Sequence, residues 1–333
     1  MTAFEFGGRS IARGVRETVN LEVSTLANAA PMTLPVHVVH GSGDGPVMFL
    51  SGVVHGDEIQ GLEIVRRVIA HQALKNLRGT LLAVPIVNGF GFLNHSRYMP
   101  DRRDLNRSFP GSDHGSLASL LADLFFQDIV RRSTFGIDLH TAALHRTNLP
   151  QVRIAPADAD LLKLAEAFAA PVILTSKLRE GSLRQSAKEA GVKVLLYEGG
   201  EALRFDEVAI EAGVKGCLRV MKHIGMIETA PAAPVHGAVV TSSSSTWVRA
   251  PEGGILHSVR RVGDKVGLKE PIGVITDPIG SVTVPVFAED DGIIIGRTNL
   301  PIVNRGDALF HVARIKTKAR GPVLSTPDED EII

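Results

Sequence analysis

The sequence lacks what several functional classes require. Cys217 is the only cysteine among 333 residues, which excludes an intramolecular disulfide and a zinc site built from several cysteines. A metal site in this chain therefore has to use histidine and carboxylate side chains. Neither sign of charge is in excess, because 36 Lys and Arg residues balance 36 Asp and Glu residues. Nothing overall attracts nucleic acid or an anionic membrane surface, so we expect neither as a partner.

Long apolar runs are also missing. No segment approaches the ~20 apolar residues that a membrane helix requires, so we expect no transmembrane span. The first residues lack the basic start and following apolar stretch of a secretory signal, which predicts a cytoplasmic location. The chain is 44% apolar and 22% charged, which is typical of a globular protein, and its length allows one large domain and a smaller one.

Changes in the pattern of apolar and polar residues and in composition divide the chain into five segments. Short apolar runs alternate with helix-length amphipathic stretches in the longest segment, which predicts an α/β domain with a largely buried sheet. The segment after the Pro-rich linker has short β-rich runs separated by turn residues, which predicts an all-β domain. The predicted segments are a β-rich lead-in (1–45), the α/β domain (46–226), the linker (227–235), the β domain (236–313) and a charged tail (314–333).

Two segments carry candidate metal ligands. In SGVVHGDE (51–58) an apolar strand runs into a turn and a helix, so that His55 ends the strand and Glu58 begins the helix. Gly56 permits the tight backbone, and the two side chains can converge on one metal ion. In GIDLHT (136–141) period-two alternation places Asp138 and His140 on one face at a strand end. The structural alternative for the first segment is a turn histidine followed by a glutamate that the helix dipole favours. The alternative for the second segment is a polar residue at a strand end with its hydrogen bonds satisfied.

His140 completes a set of three protein ligands with His55 and Glu58. Three ligands of this kind leave a fourth zinc position for water, which distinguishes a catalytic site from a closed structural one. Asp138 is placed to orient one of the ligand imidazoles.

Two further segments carry groups suited to substrate chemistry. The loop 97–111 is dense in arginine, and its Asn106 and Arg107 suit a substrate carboxylate because arginine binds carboxylates bidentately. The apolar run VLLYEGG (194–200) ends at Glu198, which can act as a general base beside an activated water. The alternatives are a solvated loop with local ion pairs and a capping or ion-paired glutamate.

Taken in order, HGDE, DLNRSFPG, DLHT and YEGG over residues 45–226 resemble the succinylglutamate desuccinylase and aspartoacylase family, which is related to the zinc carboxypeptidases. The resemblance implies a mixed sheet with helices on both faces and one zinc ion per subunit. It implies that Asn106 and Arg107 hold a substrate carboxylate and that Glu198 is the general base. The zinc ligands implied by the motifs are His55, Glu58 and His140.

The resemblance leaves other residue roles open. The family uses an arginine ahead of the Asn-Arg pair to polarise the scissile carbonyl, and Arg97 and Arg103 both fit that position. Arg146 and Asn148 resemble the continuation seen in a less characterised branch of the family, and we expect them to line the pocket.

Two departures limit what the resemblance implies about the substrate. Asp57 stands where the aspartoacylases have asparagine. These enzymes also recruit tyrosines to the site, whereas this chain has only Tyr98 and Tyr197. Tyr197 adjoins Glu198 in a predicted strand, so the two side chains should point to opposite faces.

The β-rich C-terminal segment resembles the half-barrel of biotinyl and lipoyl carrier domains. The turn that would carry the modified lysine is not evident. We therefore expect this domain to act as a lid or as a contact between copies of the chain in a homo-oligomer.

These expectations combine into a zinc-dependent hydrolase that acts on carbon-nitrogen amide bonds other than peptide bonds. A zinc-activated water and a glutamate base would remove the acyl group from an N-acyl amino acid or a similar small amide with a free carboxylate. A carboxypeptidase-type exopeptidase fits the same residues, and a non-enzymatic carrier or binding module is the alternative from another class. No GxSxG serine elbow appears, and GFGF (89–92) lacks the third glycine of a dinucleotide loop.

Overall fold

The computed structural model describes residues 3–234 and 239–315. Most of the predicted tail, residues 316–333, lies outside the described residues. Nineteen strands lie within the described ranges: β1 (Phe4–Phe6), β2 (Arg9–Ile11), β3 (Arg16–Thr25), β4 (Pro31–His40), β5 (Gly43–Gly52), β6 (Arg78–Val84), β7 (Phe135–Ala142), β8 (Arg146–Ile154), β9 (Val172–Thr175), β10 (Lys193–Glu201), β11 (Val240–Ser242), β12 (Ser245–Arg249), β13 (Gly254–Ser258), β14 (Lys265–Val266), β15 (Pro271–Thr276), β16 (Thr283–Phe287), β17 (Gly292–Thr298), β18 (Ile302–Val303) and β19 (Ala308–Arg314).

Helices connect the strands of the first two thirds of the chain. Short 3-10 helices span Gln72–Asn76 and Leu105–Arg107, and a π-helical turn spans Phe126–Val130. The α-helices of the described residues are α1 (Gln60–Ala70), α2 (Gly89–Leu93), α3 (Leu117–Phe125), α4 (Ala159–Phe168), α5 (Leu183–Glu189) and α6 (Glu207–His223).

Serine or aspartate caps fix where four of the α-helices begin. In each case a serine or aspartate just before the first turn accepts a hydrogen bond from a backbone N–H of that turn, which satisfies a donor that the helix leaves unpaired. These residues are Ser116 for α3, Asp158 for α4, Ser182 for α5 and Asp206 for α6.

A mixed sheet of thirteen described strands runs through the molecule. Its main path is β12-β19-β17-β8-β10-β7-β5-β6-β4-β3, with parallel pairing at its centre between β10 and β7, β7 and β5, and β5 and β6. The carboxyl ends of these parallel strands therefore meet at one edge of the sheet, which is where ligands bind in open α/β sheets.

Apolar side chains cover both faces of the sheet. One core packs α1, α4 and α6 against it through residues such as Ile64, Leu164 and Leu218. The other packs α3 and α5 through residues such as Phe125 and Leu183. The predicted mixed sheet with helices on both faces is thus confirmed.

The described C-terminal residues 239–315 contain strands and no helix, as predicted, and several of these strands join the main sheet. The strand β17 pairs antiparallel with β8 at Gly296 and Asn148, and a separate four-stranded sheet has the order β16-β15-β13-β18. The predicted domain boundaries remain predictions. Within the described ranges no helix has both the length and the apolarity needed to cross a bilayer.

Candidate active site

The loop between β5 and α1 carries two of the candidate ligands. We predicted that His55 ends the strand and Glu58 begins the helix, but β5 ends at Gly52 and α1 begins at Gln60. The backbone leaves the extended conformation at Val53, where φ is 56°, so the loop begins directly at the carboxyl end of β5. Both side chains are buried there.

Gly56 is required in this loop for a steric reason. A Cβ atom at this position would lie 2.0 Å from the carbonyl carbon of Gly91. Any other residue would therefore push the loop away from α2 and displace the ligands on either side. We predicted a glycine here because of a tight backbone, but the φ angle of Gly56 is not positive, and the requirement comes from this close approach to α2.

His140 lies near the end of β7 and is oriented by a buried carboxylate. Its Nε2 lies 2.7 Å from Asp138 Oδ2, and the Ser51 hydroxyl donates to Asp138 Oδ1 at 2.7 Å. Asp138 is fully buried, and each of its two carboxylate oxygens has one of these partners. This is the contact that the predicted orienting role of Asp138 requires.

The three candidate ligands meet at one point. Glu58 Oε1 lies 2.7 Å from His55 Nδ1, Glu58 Oε2 lies 2.8 Å from His140 Nδ1, and the two Nδ1 atoms are 3.2 Å apart. One ligand atom from each residue lies within 4.8 Å of the others. The structure thus brings together residues that are far apart in the sequence.

The donor set fits a divalent metal such as zinc. Asp104 Oδ1 lies 3.2 Å from His55 Nε2, and Asp138 holds Nε2 of His140 in the same way. When each Nε2–H donates to its carboxylate, each Nδ1 presents a lone pair to the shared point. Two lone pairs and a carboxylate in contact repel one another unless a proton or a metal cation lies between them. Two imidazoles and one carboxylate also leave an open position on a tetrahedral ion.

The electrostatics of these residues show the same demand for positive charge. Burial opposes the charged form of His140, but the nearby Asp138 and Glu58 carboxylates outweigh it and raise its pKa well above the usual value. The pKa of Glu58 is well below its usual value because the two histidines outweigh the effect of burial.

Of the two candidate arginines, only Arg97 lies at this point. Its Nη1 donates to Glu58 Oε1 at 3.1 Å and its Nη2 donates to Asp104 Oδ2 at 2.9 Å. The Arg103 side chain is 64% exposed and its nearest carboxylate is that of Asp101, at 3.9 Å.

The neighbouring Asn106 and Arg107 line the same cavity. The Asn106 side chain is buried, and its Oδ1 accepts a hydrogen bond from the backbone N–H of Leu183 at 2.9 Å. The backbone carbonyl oxygen of Asn106 accepts a hydrogen bond from the Arg107 guanidinium. Burial lowers the pKa of this guanidinium. Within the described part of the chain no carboxylate forms an ion pair with Arg107.

Glu198 lies on β10, beside His140 in the register of β10 and β7. Asn148 Nδ2 donates to its Oε2 at 2.7 Å, and Arg153 Nη2 donates to the same oxygen at 2.8 Å. Tyr197 lies on the opposite face and donates to the carbonyl oxygen of Ala209, while Tyr98 is exposed, so neither tyrosine lines the cavity.

One cavity of about 600 Å³ is lined by His55, Glu58, Arg97, Asn106, Arg107, His140 and Glu198. The sequence interpretation missed several lining residues, which come from strands, loops and the first turn of α5, where no local motif marks them. Burial lowers the pKa of one of them, Arg184, to about 10. The missed residues with polar or aromatic side chains are Arg153, Ser176, Lys177, Arg179, Ser182, Arg184, Ser245, Trp247 and His311.

The C-terminal region supplies one wall of the cavity. Trp247 and His311 stack with ring centres 4.6 Å apart, and the guanidinium carbon of Arg146 lies 5.0 Å from the indole centre. Trp247 is the only tryptophan of the chain. Its pairing with His311 depends on the register of β12 and β19, which local sequence does not reveal.

The cavity is strongly cationic. Among the described residues, seven that line it are arginine or lysine, whereas the lining carboxylates are those of Glu58 and Glu198 alone. Five of the seven have no ion-pair partner among the described residues: Arg107, Arg146, Lys177, Arg179 and Arg184. The cavity is therefore suited to an anionic small molecule.

Fold and site together define a class of α/β proteins that gather two imidazoles and a carboxylate at the carboxyl edge of a mixed sheet. Residues 44–224 match the model of the succinylglutamate desuccinylase/aspartoacylase catalytic domain, which is more than half of the chain. The chain therefore belongs to this family of deacylating hydrolases, which act on amide bonds.

Individual relatives agree with this assignment. The chain is 28% identical over 296 residues to an N-alpha-acetyl-L-2,4-diaminobutyric acid deacetylase of Halomonas elongata, covering 85% of this chain and 86% of the relative. A succinylglutamate desuccinylase/aspartoacylase structure from Rhodobacter sphaeroides is 27% identical with a TM-score of 0.80, covering 91% of this chain and 96% of that one. The product-bound ectoine utilization protein EutE (DoeB) of Ruegeria pomeroyi, at 22% identity, has a TM-score of 0.80 and shares the fold, covering 90% of this chain and 95% of that one.

Proposed function

We propose that this protein is a zinc-dependent amidohydrolase that removes the acyl group from an N-acyl amino acid or a similar small amide with a free carboxylate. The observation that carries the proposal is the convergence of His55, Glu58 and His140 beside Glu198 in one cationic cavity. A cavity of about 600 Å³ has the size of a site for a small molecule.

Three side chains would hold the metal: His55 and His140 through their Nδ1 atoms, and Glu58 through its carboxylate. A bound zinc ion supplies Lewis acidity, which polarises a carbonyl group and makes a water molecule easier to deprotonate. Asp138 and Asp104 keep the two imidazoles in the tautomer that exposes Nδ1.

Glu198 would move the proton during the reaction. Its Oε1 accepts the proton from the attacking water, and the same group then delivers it to the departing amine. Arg97, which lies against Glu58, would donate to the oxygen that becomes negative as water adds to the carbonyl. Loss of such a donor typically costs about 10²- to 10³-fold in rate. We assign this role to Arg97 because the exposed Arg103 lies outside the cavity lining.

The substrate carboxylate would bind at Asn106 and Arg107. Arg107 lines the cavity without a carboxylate partner in the described chain, so its guanidinium is available to an anion. The Halomonas relative removes an acetyl group from an amino acid, which favours deacylation over the removal of a peptide's last residue. The C-terminal strands contribute Trp247 and His311 to the cavity wall, which supports their role as part of the site over that of a carrier module.

The test is to assay wild type and Glu198→Gln on N-acetyl, N-succinyl and N-aminoacyl amino acids, with metal content measured in parallel. We expect the variant to keep its metal and to lose most of its turnover. Glu201→Gln is the matched control, because Glu201 lies on the same strand outside the cavity lining, and we expect it to keep most of its activity. Near-normal turnover of Glu198→Gln would show that the base is elsewhere, and a purified protein without metal would contradict the metal assignment.

A further inference from the structure

Two side chains of β8 converge on one oxygen of Glu198. Asn148 Nδ2 and Arg153 Nη2 lie 2.7 and 2.8 Å from Glu198 Oε2. Two donors therefore occupy Oε2, and no hydrogen bond to Oε1 is formed within the described part of the chain. The two oxygens of this carboxylate have different environments before any substrate binds.

A bulge in β8 makes this convergence possible. Asn148 and Arg153 are separated by an odd number of positions, so in a regular strand their side chains would point to opposite faces of the sheet. The register changes between them, because Glu198 is paired with Gln151 while Gly200 is paired with Asn148. Between these two pairs, β8 advances by three residues while β10 advances by two. Because of the extra residue in β8, the side chains of Asn148 and Arg153 lie on the same face of the sheet as Glu198.

The surrounding sequence accommodates the bulge. Pro150 lies within the irregular stretch, where a residue without an N–H does least harm to the ladder. On the other side of β8, Gly296 of β17 is paired with Asn148, and a Cβ atom there would lie 2.6 Å from Asn148 Oδ1. The glycine thus leaves room for the Asn148 carboxamide.

We propose that Arg153 and Asn148 are positioning residues that hold Glu198 by Oε2 and leave Oε1 as the oxygen that exchanges the proton. This inference rests on the proposed role of Glu198 as the base. Arg153 and Glu198 are mostly buried, with 21% and 16% of their side chains exposed, so the pair is largely shielded from water. Asn148, which the sequence suggested as a substrate ligand, has its amide nitrogen committed to Glu198.

Arg146 provides a contrast on the same strand. It lines the cavity as Arg153 does, but it stacks on Trp247 and forms no ion pair with a described carboxylate. Loss of a cavity cation in general can therefore be separated from loss of the contact to Glu198.

The decisive experiment compares Arg153→Met and Arg153→Lys with wild type in kcat, KM, metal content and melting temperature. We expect Arg153→Met to lose about 10- to 100-fold in kcat with little change in KM and with its metal retained. Arg153→Lys should recover most of this loss, because Arg153 reaches Glu198 through Nη2 alone and an ammonium group can replace a single donor. Arg146→Met, the matched control, should instead act mainly on KM.

A second variant keeps the test valid if Arg153→Met folds poorly. Asn148→Ala should also lower kcat with its metal retained, and this loss tests the inference without Arg153→Met. Where both variants fold, their effects should be less than multiplicative in the double variant, because both act through the same oxygen. Fully multiplicative effects would contradict a shared action on Glu198.

The outcomes separate this inference from the proposed function. An inactive Glu198→Gln combined with normal kcat in Arg153→Met and Asn148→Ala would overturn the positioning role and leave the base assignment intact. A rise in KM at constant kcat in Arg153→Met would also overturn it, by indicating a direct contact with substrate. Active Glu198→Gln would instead remove the base on which the inference rests.

Discussion

A buried neutral histidine beside the cavity makes the stability of this protein depend on pH. His311 is 7% exposed, stacks on Trp247, and its Nε2 lies 2.8 Å from the Ser245 hydroxyl oxygen. Burial, together with the positive charges of Arg153 and Arg146, lowers its pKa from 6.5 to about 3. In the folded protein the imidazole therefore stays neutral well below neutral pH.

The direction of the effect follows from proton binding. As the pH falls below 6.5, the unfolded chain takes up a proton on this imidazole, whereas the folded protein takes it up only near pH 3. Between these values the unfolded state binds more protons, so the free energy of unfolding falls as the pH falls. Each pH unit in this window is worth about 1.4 kcal/mol, so at pH 5 His311 reduces stability by about 2 kcal/mol relative to neutral pH.

The substitution His311→Gln isolates this contribution, because glutamine keeps a hydrogen-bonding group near Ser245 and does not titrate. Urea unfolding at pH 7 and pH 5 gives the free energy of unfolding for wild type and variant at each pH. We expect the variant to lose about 2 kcal/mol less than wild type between the two values. His257→Gln, at an exposed histidine of β13, is the control and should follow wild type. Equal losses in wild type and His311→Gln would refute the reasoning.

The remaining predictions concern the metal site and the carboxylate site. His140→Ala should abolish metal retention, because it removes one of the three proposed ligands and leaves Asp138 without its partner. Metal analysis after dialysis checks this, and unchanged metal content would exclude His140 as a ligand. Arg107→Ala should mainly raise KM, because an anchor that binds the ground and transition states equally does not change kcat, and steady-state kinetics with an unchanged KM would point to another anchor.

Local sequence was sufficient for the parts of the site that depend on local geometry. The loop after β5 brings His55 and Glu58 to the carboxyl edge, and alternation along β7 brings His140 to the same edge. The order of strands and helices followed from periodicity alone, because buried parallel strands and amphipathic helices have distinct patterns.

Features that depend on pairing between distant strands were not predictable in this way. The contacts of Arg153 and Asn148 with Glu198 require the bulge in β8, which is defined only by the partner strand β10. Trp247 reaches the cavity wall because β17 continues the sheet beyond β8 and places β19 and β12 after it. The spacing of Arg97 and Arg103 could not separate them, since the choice depends on which side chain the folded loop turns towards Glu58.

The shared sheet also determines how the gene for this protein can be divided. A fragment ending before residue 235 would lose β17 from the edge of β8, and backbone groups now paired would face solvent as a template for other chains. It would also expose Leu149, Val172 and Leu174 to solvent, because these side chains belong to an apolar cluster with Ile293 and Ile295. Expression of the N-terminal part alone should therefore yield aggregates. Any exchange of the C-terminal part between relatives would have to preserve the pairing of β17 with β8 and the apolar cluster beside it.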